Sequence, residues 1–573
     1  MKTVWPYLRR FWGVEVAAIV ATVLLAFANL WQPRVLQSVM EAIIKGDDGA
    51  VVRLGIILLL LALLGIGAGV ANTIFSAHAA LNIATAMRRD VYRHVQTFAF
   101  ADVEQFAASN LVVRMTNDIN QVQGMVMQTL QIVARVPIMF AGALILALIT
   151  IPQMWWLLVL MLVVIVTLAW VGMTKMGHYF GQVQQDIDEV NTIARENLMG
   201  VRVVKSFNQE DNQEAKFAGA SDRMTKVTVK IGYAFSIMMP GFFTIANLAV
   251  AGALLIIGRN ITDHPEYLAA VASFVGYMMQ LLMAIINAGF IATGATRAFV
   301  SLKRIGEVMQ HDPSMTFKDV PDEDLEGSIA FENVTFSYPG DEEPTLRNVS
   351  FTVAPGEMLG IVGATGAGKS TLAQLIPRLF DADQGQVLVG GHDVRDVAAG
   401  TLRQTIGMVM QRATLFSGTI AKNLRQGKPD ATVRDMRWAA EVAQSAEFIH
   451  RLDNEFDATV EERSANFSGG QKQRLAITRG VIGKPRILIM DDSTSALDAR
   501  SERLVQEALA RELKGTTTVI IAEKIASIIN ADRILVMDHG QIVGNGTHDE
   551  LLRSNAVYRE IYQTQKAREG RMA

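Results

Sequence analysis

The chain has 573 residues, 50% of them hydrophobic and 19% charged, with a mean hydropathy of +0.25. This excludes a disordered or fibrous protein, and the balance of 53 basic against 56 acidic residues leaves no basic footprint for nucleic acid. No cysteine is present, so disulfides, thiolate zinc sites, Fe–S clusters and cysteine nucleophiles are excluded too.

The first eleven residues mix Lys2, Arg9 and Arg10 with Trp5, Tyr7 and Phe11. No small-residue cleavage site follows the apolar run behind them, so the expectation is a short amphipathic surface helix rather than a signal peptide. Six long apolar stretches follow, at about 13–31, 54–79, 125–151, 155–176, 234–258 and 267–294. Each has about 20 residues or more, enough at 1.5 Å per residue to cross a ~30 Å hydrocarbon core as a helix. The loops after the second and fourth stretches are long and carry Arg88, Arg89, Arg93, Arg114, Arg195, Arg202 and Lys205 among others. The short loops hold only Arg34, Lys45, Arg53 and Arg259. That asymmetry puts the N-terminus, the long loops and the C-terminal half in the cytoplasm of a multi-pass protein of the cell membrane. The long loops read as helix, so several membrane helices should project well beyond the bilayer.

Within the stretches, Glu15, Asn29, Gln131, Arg135, Asn247, Gln280 and Asn287 are polar. Arg135 and Gln280 either line a cavity or bond between helices. Met278, Met279, Met283 and Phe290 would suit an adaptable pocket, although lipid contact or packing is the commoner role for most such residues. Gly65 and Gly69, four apart, suit close helix packing. Trp155 and Trp156 suit a membrane interface.

The segment 311–328 breaks the last helix and reads as a linker. Beyond it, short β-rich runs at 358–362, 487–490 and 518–521 alternate with helical segments, which predicts an α/β domain with a largely parallel sheet. The expected division is therefore a membrane domain 1–310, a linker 311–328 and an α/β domain 329–573.

Residues Gly363, Ala364, Thr365, Gly366, Ala367, Gly368, Lys369 and Ser370 fit G-x-x-x-x-G-K-[ST] at every fixed position. The motif follows an apolar strand and opens a helical run at Thr371, the context it requires. Its backbone N–H groups and the helix N-terminus would hold nucleotide phosphates. Lys369 would add a charge on the β and γ phosphates, and the Ser370 hydroxyl would ligate Mg²⁺. The apolar strand 487–490 ends in Asp491, placed to hold Mg²⁺ through water.

Phe467-Ser468-Gly469-Gly470-Gln471-Lys472-Gln473-Arg474, just before that strand, closely resembles the signature of ABC transporter ATPases. Tyr338 lies 25 positions before Gly363, where the family has an adenine-stacking aromatic. Gln411 is similar to the family's Q-loop glutamine, a Mg²⁺ and nucleotide contact. Ser495-Ala496-Leu497-Asp498 resembles its D-loop. With six preceding spans and one ATPase, the whole chain resembles an exporter-type half-transporter, most closely one subunit of the heterodimeric multidrug exporters of Gram-positive bacteria. Thr116-Asn117-Asp118 resembles the family's first intracellular loop, and Gly200 to Phe207 resembles the second. The resemblance implies that these loops dock on the ATPases, the second on the partner's. The fold implied is an all-α six-helix transmembrane domain followed by an α/β P-loop nucleotide-binding domain.

Two positions depart from the family pattern. Asp492 stands where the resemblance implies a catalytic Glu, and Glu523 where it implies a switch-loop His. The Asp carboxylate is one methylene shorter, and a misplacement of ~1 Å is enough for a rate loss of about 100-fold. Glu523 puts an acid where the γ-phosphate charge must be stabilised. Ser464 stands where the preceding loop usually has Gly, while Ser468, Gly469, Gly470 and Gln471 are complete. The implied arrangement is a heterodimer in which this chain binds Mg·ATP but hydrolyses it poorly. The partner half-transporter would have the Glu and His, and this chain's signature would close its site. The expected activity is export of hydrophobic or amphipathic drugs. The alternatives are a lipid, peptide or metal-chelate transporter of the same fold, or an ATP-gated regulatory subunit without turnover.

Overall fold

The computed structural model describes residues 4–259 and 267–572; the side chains at 259, 268, 289–296 and 568–572 lie outside the description, and with them those of Arg259 and Phe290. Two compact units emerge, Met1–His94 with Ser109–His311, and Val95–Ala108 with Asp312–Ala573. The second unit thus includes a piece of the first long loop.

In the first unit long helices carry the six apolar stretches. They are α1 (Trp5–Lys45), α2 (Asp48–Val95), α4 (Ala108–Thr150), α5 (Trp155–Met199), α7 (Glu210–Arg259) and α8 (Tyr267–Met309), with the short α6 (Val201–Ser206) in the second long loop; the short α3 (Phe100–Phe106) of the first long loop belongs to the second unit. Six of the described segments are long and apolar enough to cross a membrane. The 48 residues of α2 rise about 70 Å at 1.5 Å each, more than twice a ~30 Å hydrocarbon core, so the helices continue into the long loops. A non-helical residue at Phe11 (φ −113°, ψ 17°) sets the first turns of α1 apart from the span, where the sequence suggested a separate surface helix. Gly65 and Gly69 on α2 face α1, with room for a Cβ only at 3.7 Å from Ala28 and 3.8 Å from Leu25. The α4 segment contains two π turns, Arg114–Asp118 and Thr129–Val133.

Thr116, Asn117 and Asp118 require a correction. They lie in the first π turn, and Asp118 is buried in the membrane unit, where Ser301 of α8 donates to its carboxylate at 2.7 Å. The part of that loop that packs with the ATPase is α3. Its Asp102 is 1% exposed and accepts the backbone N–H groups of Ala99 at 2.8 Å and Ser314 at 3.1 Å.

The second unit has two main sheets, besides a two-stranded pair of Gly418–Thr419 with Thr459–Val460. β1 (Ile329–Phe336), β2 (Leu346–Val353), β4 (Gln384–Val389) and β5 (His392–Asp393) form an antiparallel sheet in the order β2-β1-β4-β5. β3 (Met358–Gly363), β6 (Ile406–Val409), β7 (Ile487–Asp491), β8 (Thr517–Ile521), β9 (Arg533–Asp538) and β10 (Gln541–Gly546) form the other in the order β10-β9-β3-β8-β7-β6. All its pairings are parallel except that of β10. The antiparallel sheet departs from the largely parallel arrangement that the sequence predicts. Its strands alternate buried and exposed residues, as β2 does, and lack the continuous apolar run of a two-face-buried strand such as β7.

Candidate functional site

Parallel register brings the site together. Ile521 pairs with both Ile361 and Asp491, so β3, β7 and β8 end at the same edge of the sheet. Residues that follow those strands therefore converge although they are far apart in sequence, as is general at the carboxyl edge of an open α/β sheet. A cavity of about 310 Å³ at this edge is lined by Tyr338, Thr345, Thr365, Gly366, Gly368, Lys369, Ser370, Thr371, Gln411, Asp491, Asp492, Ile521 and Glu523.

The loop from Gly363 to Gly368 turns from β3 into α9 (Lys369–Leu375). A Cβ at Gly363 would collide with the carbonyl oxygen of Met537, so the close approach of β9 requires glycine. Gly368 caps α9 at φ +94°, a conformation that L side chains rarely adopt. Ala364 and Ala367 complete the loop without appearing in the cavity wall, and Ala367 is buried in the core.

Lys369 Nζ donates to the carbonyls of Gly363 and Ala364, both at 2.9 Å. Burial pulls its pKa down, opposed by the charges of Glu523, Asp491 and Asp492. The Ser370 hydroxyl donates to Asp491 Oδ1 at 3.0 Å. Burial raises the Asp491 pKa, against the pull of that hydroxyl. A hydroxyl and a nearly buried carboxylate, side by side at a phosphate loop, fit Mg²⁺, a hard cation that takes few protein ligands. Asp492 has a left-handed backbone (φ 43°), held by its N–H bond to the Ile521 carbonyl at 2.9 Å.

Tyr338 stands edge-on to Phe336 and Phe380, at 5.0 and 5.3 Å between centroids. Its hydroxyl lies 3.0 Å from Thr371 Oγ1 and donates to Gln374 Oε1 at 3.3 Å. Phe380 also takes Phe100 of α3 edge-on at 5.6 Å, so one aromatic ring joins the first long loop to the site. Motif spacing gives no sign of Phe380. Gln565, in the last helix, is another residue that the sequence reading missed. Its Nε2 donates to the Glu523 carbonyl at 2.7 Å, and its Oε1 accepts from Ile525 N–H at 2.9 Å, so it fixes the loop that carries Glu523.

Ser468, Gly469, Gly470 and Gln471 are not in this cavity. They form the N-terminus of α10 (Gly469–Val481), where Ser468 and Gln471 make a reciprocal capping box. The Ser468 hydroxyl accepts from Gln471 N–H and keeps its own O–H free to donate. Ser468 and Gly469 are exposed, so the helix N-terminus faces outward. Gln473 ties α10 to the loop after β7 by accepting from Ala496 N–H at 2.9 Å. Ser464 is left-handed (φ 51°) and buried, which explains why that position favours glycine.

Residues 16–285 match the family described as ABC transporter transmembrane region, and residues 346–495 match the family described as ABC transporter. The chain is 36% identical to the uncharacterized ABC transporter ATP-binding protein YfiB of Bacillus subtilis, over 95% of this chain and 94% of that protein. It is 30% identical to an ATP-dependent lipid A-core flippase of Chromohalobacter salexigens, over 98% and 96%. A bacterial Atm1-family ABC exporter with ATP bound has a similar fold, with a TM-score of 0.77 and 24% identity over 97% of this chain and 98% of that one.

Proposed function

The chain belongs to the ABC transporter family as an exporter-type half-transporter, a multi-pass membrane protein with a cytoplasmic ATPase domain, and we propose that it is the weakly hydrolysing half of a heterodimeric exporter of amphipathic compounds. The observation that carries this reading is the presence of Asp492 and Glu523 in the same cavity as Lys369, Ser370 and Asp491. Both departures from the family pattern fall on one site, while the signature helix keeps its capping box.

In this reading Tyr338 stacks the adenine, the loop from Gly363 to Thr371 holds the phosphates, and Lys369 adds charge on the β and γ phosphates. Ser370, Asp491 and Gln411 are the residues that would hold Mg²⁺, which supplies charge neutralisation on those phosphates. Asp492 sits too far back to orient water well, and Glu523 opposes the γ-phosphate charge. ATP would therefore stay bound here and clamp the two ATPases. Ser468, Gly469, Gly470 and Gln471 would act on the nucleotide of the partner, where Glu and His are present. A partner is also favoured by the tip of the second long loop, where Met199 is 82% and Phe207 71% exposed, apolar surface that a second ATPase would cover.

Turnover tests the reading. The purified chain alone should hydrolyse ATP negligibly, and addition of its partner should restore turnover. Robust ATPase from the single chain would refute it. The flippase relative favours a second reading of the cargo, a lipid.

A further inference from the structure

A cavity of about 880 Å³ opens among α1, α2, α4 and α8 in the membrane unit. Its volume lies in the upper part of the range for small-molecule sites, roughly 300–1,000 Å³. Arg135 is the only charged residue among its described lining residues, and among the described residues no carboxylate acts on it. Around it the wall also presents polar groups without partners. Gln131 lies in the π turn Thr129–Val133 just before Arg135, and its Nε2 is buried with no acceptor. Gln280 of α8 gives its Nε2 to the Asn29 carbonyl at 2.8 Å, which leaves its buried Oε1 without a donor. The rest of the wall is mainly apolar, with Leu36, Leu58, Ile132, Met139, Met279 and Met283.

An unpaired cation inside a membrane span is unfavourable and persists where something compensates it. Buried unpaired amide atoms carry the same implication, because such groups are nearly always satisfied in the working state. A π turn next to them is a common mark of a functional position. We infer that this cavity takes an amphiphile with an anionic headgroup, carboxylate or phosphate, which seats on Arg135 and the Gln131 amide while its apolar body lies along the methionine and leucine wall. Where the headgroup also carries a hydroxyl, as lysophosphatidate does, Gln280 Oε1 accepts from it. Cationic compounds are disfavoured, since the one charge among the described lining residues repels them and no described acid answers it. This inference rests on the exporter reading for the direction of transport, and on the cavity alone for the chemistry of the cargo.

The test is direct binding to the assembled dimer in phosphatidylcholine nanodiscs, corrected for empty discs. Parinarate, a fluorescent fatty acid, should bind about tenfold tighter than its uncharged methyl ester, the effect of one charge-assisted contact. Lysophosphatidate and lysophosphatidylcholine serve as displacing competitors for the phosphate arm. If lysophosphatidate displaces parinarate far better than lysophosphatidylcholine, the site accepts phosphate; if neither displaces it, the headgroup is a carboxylate. Arg135→Gln should erase the preference for anionic over uncharged probes, and Arg135→Lys should keep most of it, with Mg·ATP binding unchanged in both as the check on folding. Equal binding of acid and ester by the unaltered protein, with no preference for lysophosphatidate over lysophosphatidylcholine, overturns the proposal without recourse to any variant. So does a charge preference that survives Arg135→Gln. Anion binding as expected in a dimer without ATP turnover would refute the exporter reading and leave the cargo assignment standing.

Discussion

Replacing Ser468 by Ala removes two things that can be separated. One is the N-cap of α10, where the Ser468 hydroxyl accepts from Gln471 N–H. Loss of such a cap costs about 1 kcal/mol of stability, a fall of about 2–4 °C in melting temperature for a domain of this size. The other is the outward O–H, which in the proposed dimer meets the γ-phosphate on the partner's P-loop. A preorganised donor of that kind contributes about 10²–10³ in rate. Ser468→Ala should therefore lower turnover of the heterodimer at least ~100-fold with only a small shift in melting, and Ser468→Thr, which keeps cap and hydroxyl, should restore most of it. Asp492→Asn is the contrasting change. Asn tolerates the left-handed backbone at that position, and the carboxylate is already misplaced, so turnover should stay within about threefold, a barrier change below ~0.7 kcal/mol. The assay is ATP turnover of the reconstituted pair alongside thermal melting. Abolished turnover in Asp492→Asn with unchanged turnover in Ser468→Ala would refute the division of labour between the two sites.

Lys369→Ala should weaken nucleotide binding at this chain's own site by roughly tenfold or more, read by photolabelling of the subunit with an ATP analogue. Gln565→Ala removes both bonds that fix the loop around Glu523, each with a net effect of ~1 kcal/mol, and should speed amide hydrogen exchange over residues 522–527 while exchange in β7 stays unchanged. Burial holds the Asp491 pKa above its ordinary value, so the native state binds that proton more tightly than the unfolded chain, and ionisation of Asp491 subtracts stability as pH rises above about 4. Asp491→Asn should accordingly raise the melting temperature of the Mg-free protein at neutral pH, have little effect at about pH 4 or below, and remove the Mg²⁺ dependence of ATP binding; an unchanged melting temperature at neutral pH would contradict the burial argument.

Six spans, the phosphate loop and the strand that ends in Asp491 are legible in the sequence alone. Those features depend on local chemistry: a run of apolar residues long enough for a bilayer, or a fixed spacing of glycines, lysine and serine around one turn. The identities of Asp492 and Glu523 are legible for the same reason, since Asp492 directly follows a recognisable strand and Glu523 stands two positions beyond the end of another. The tertiary structure decided what rests on contacts between distant residues. Parallel register, not spacing, places Glu523 beside Lys369 and Asp491. Phe380 joins Phe100 to Tyr338, and Gln565 holds the Glu523 loop from 42 residues away, neither with a pattern of its own. Thr116, Asn117 and Asp118 carry the resemblance to a docking loop but lie in the membrane unit, whereas α3 packs with the ATPase, and a seven-residue helix has too short a pattern to show which face it buries. The antiparallel sheet was missed because a strand with one wet face alternates rather than running apolar. The unpaired Arg135 was visible as an anomaly, but only the packing of four helices shows that it faces a cavity with two unsatisfied amides, since the surroundings of a side chain in a membrane are set by neighbouring helices and not by its own.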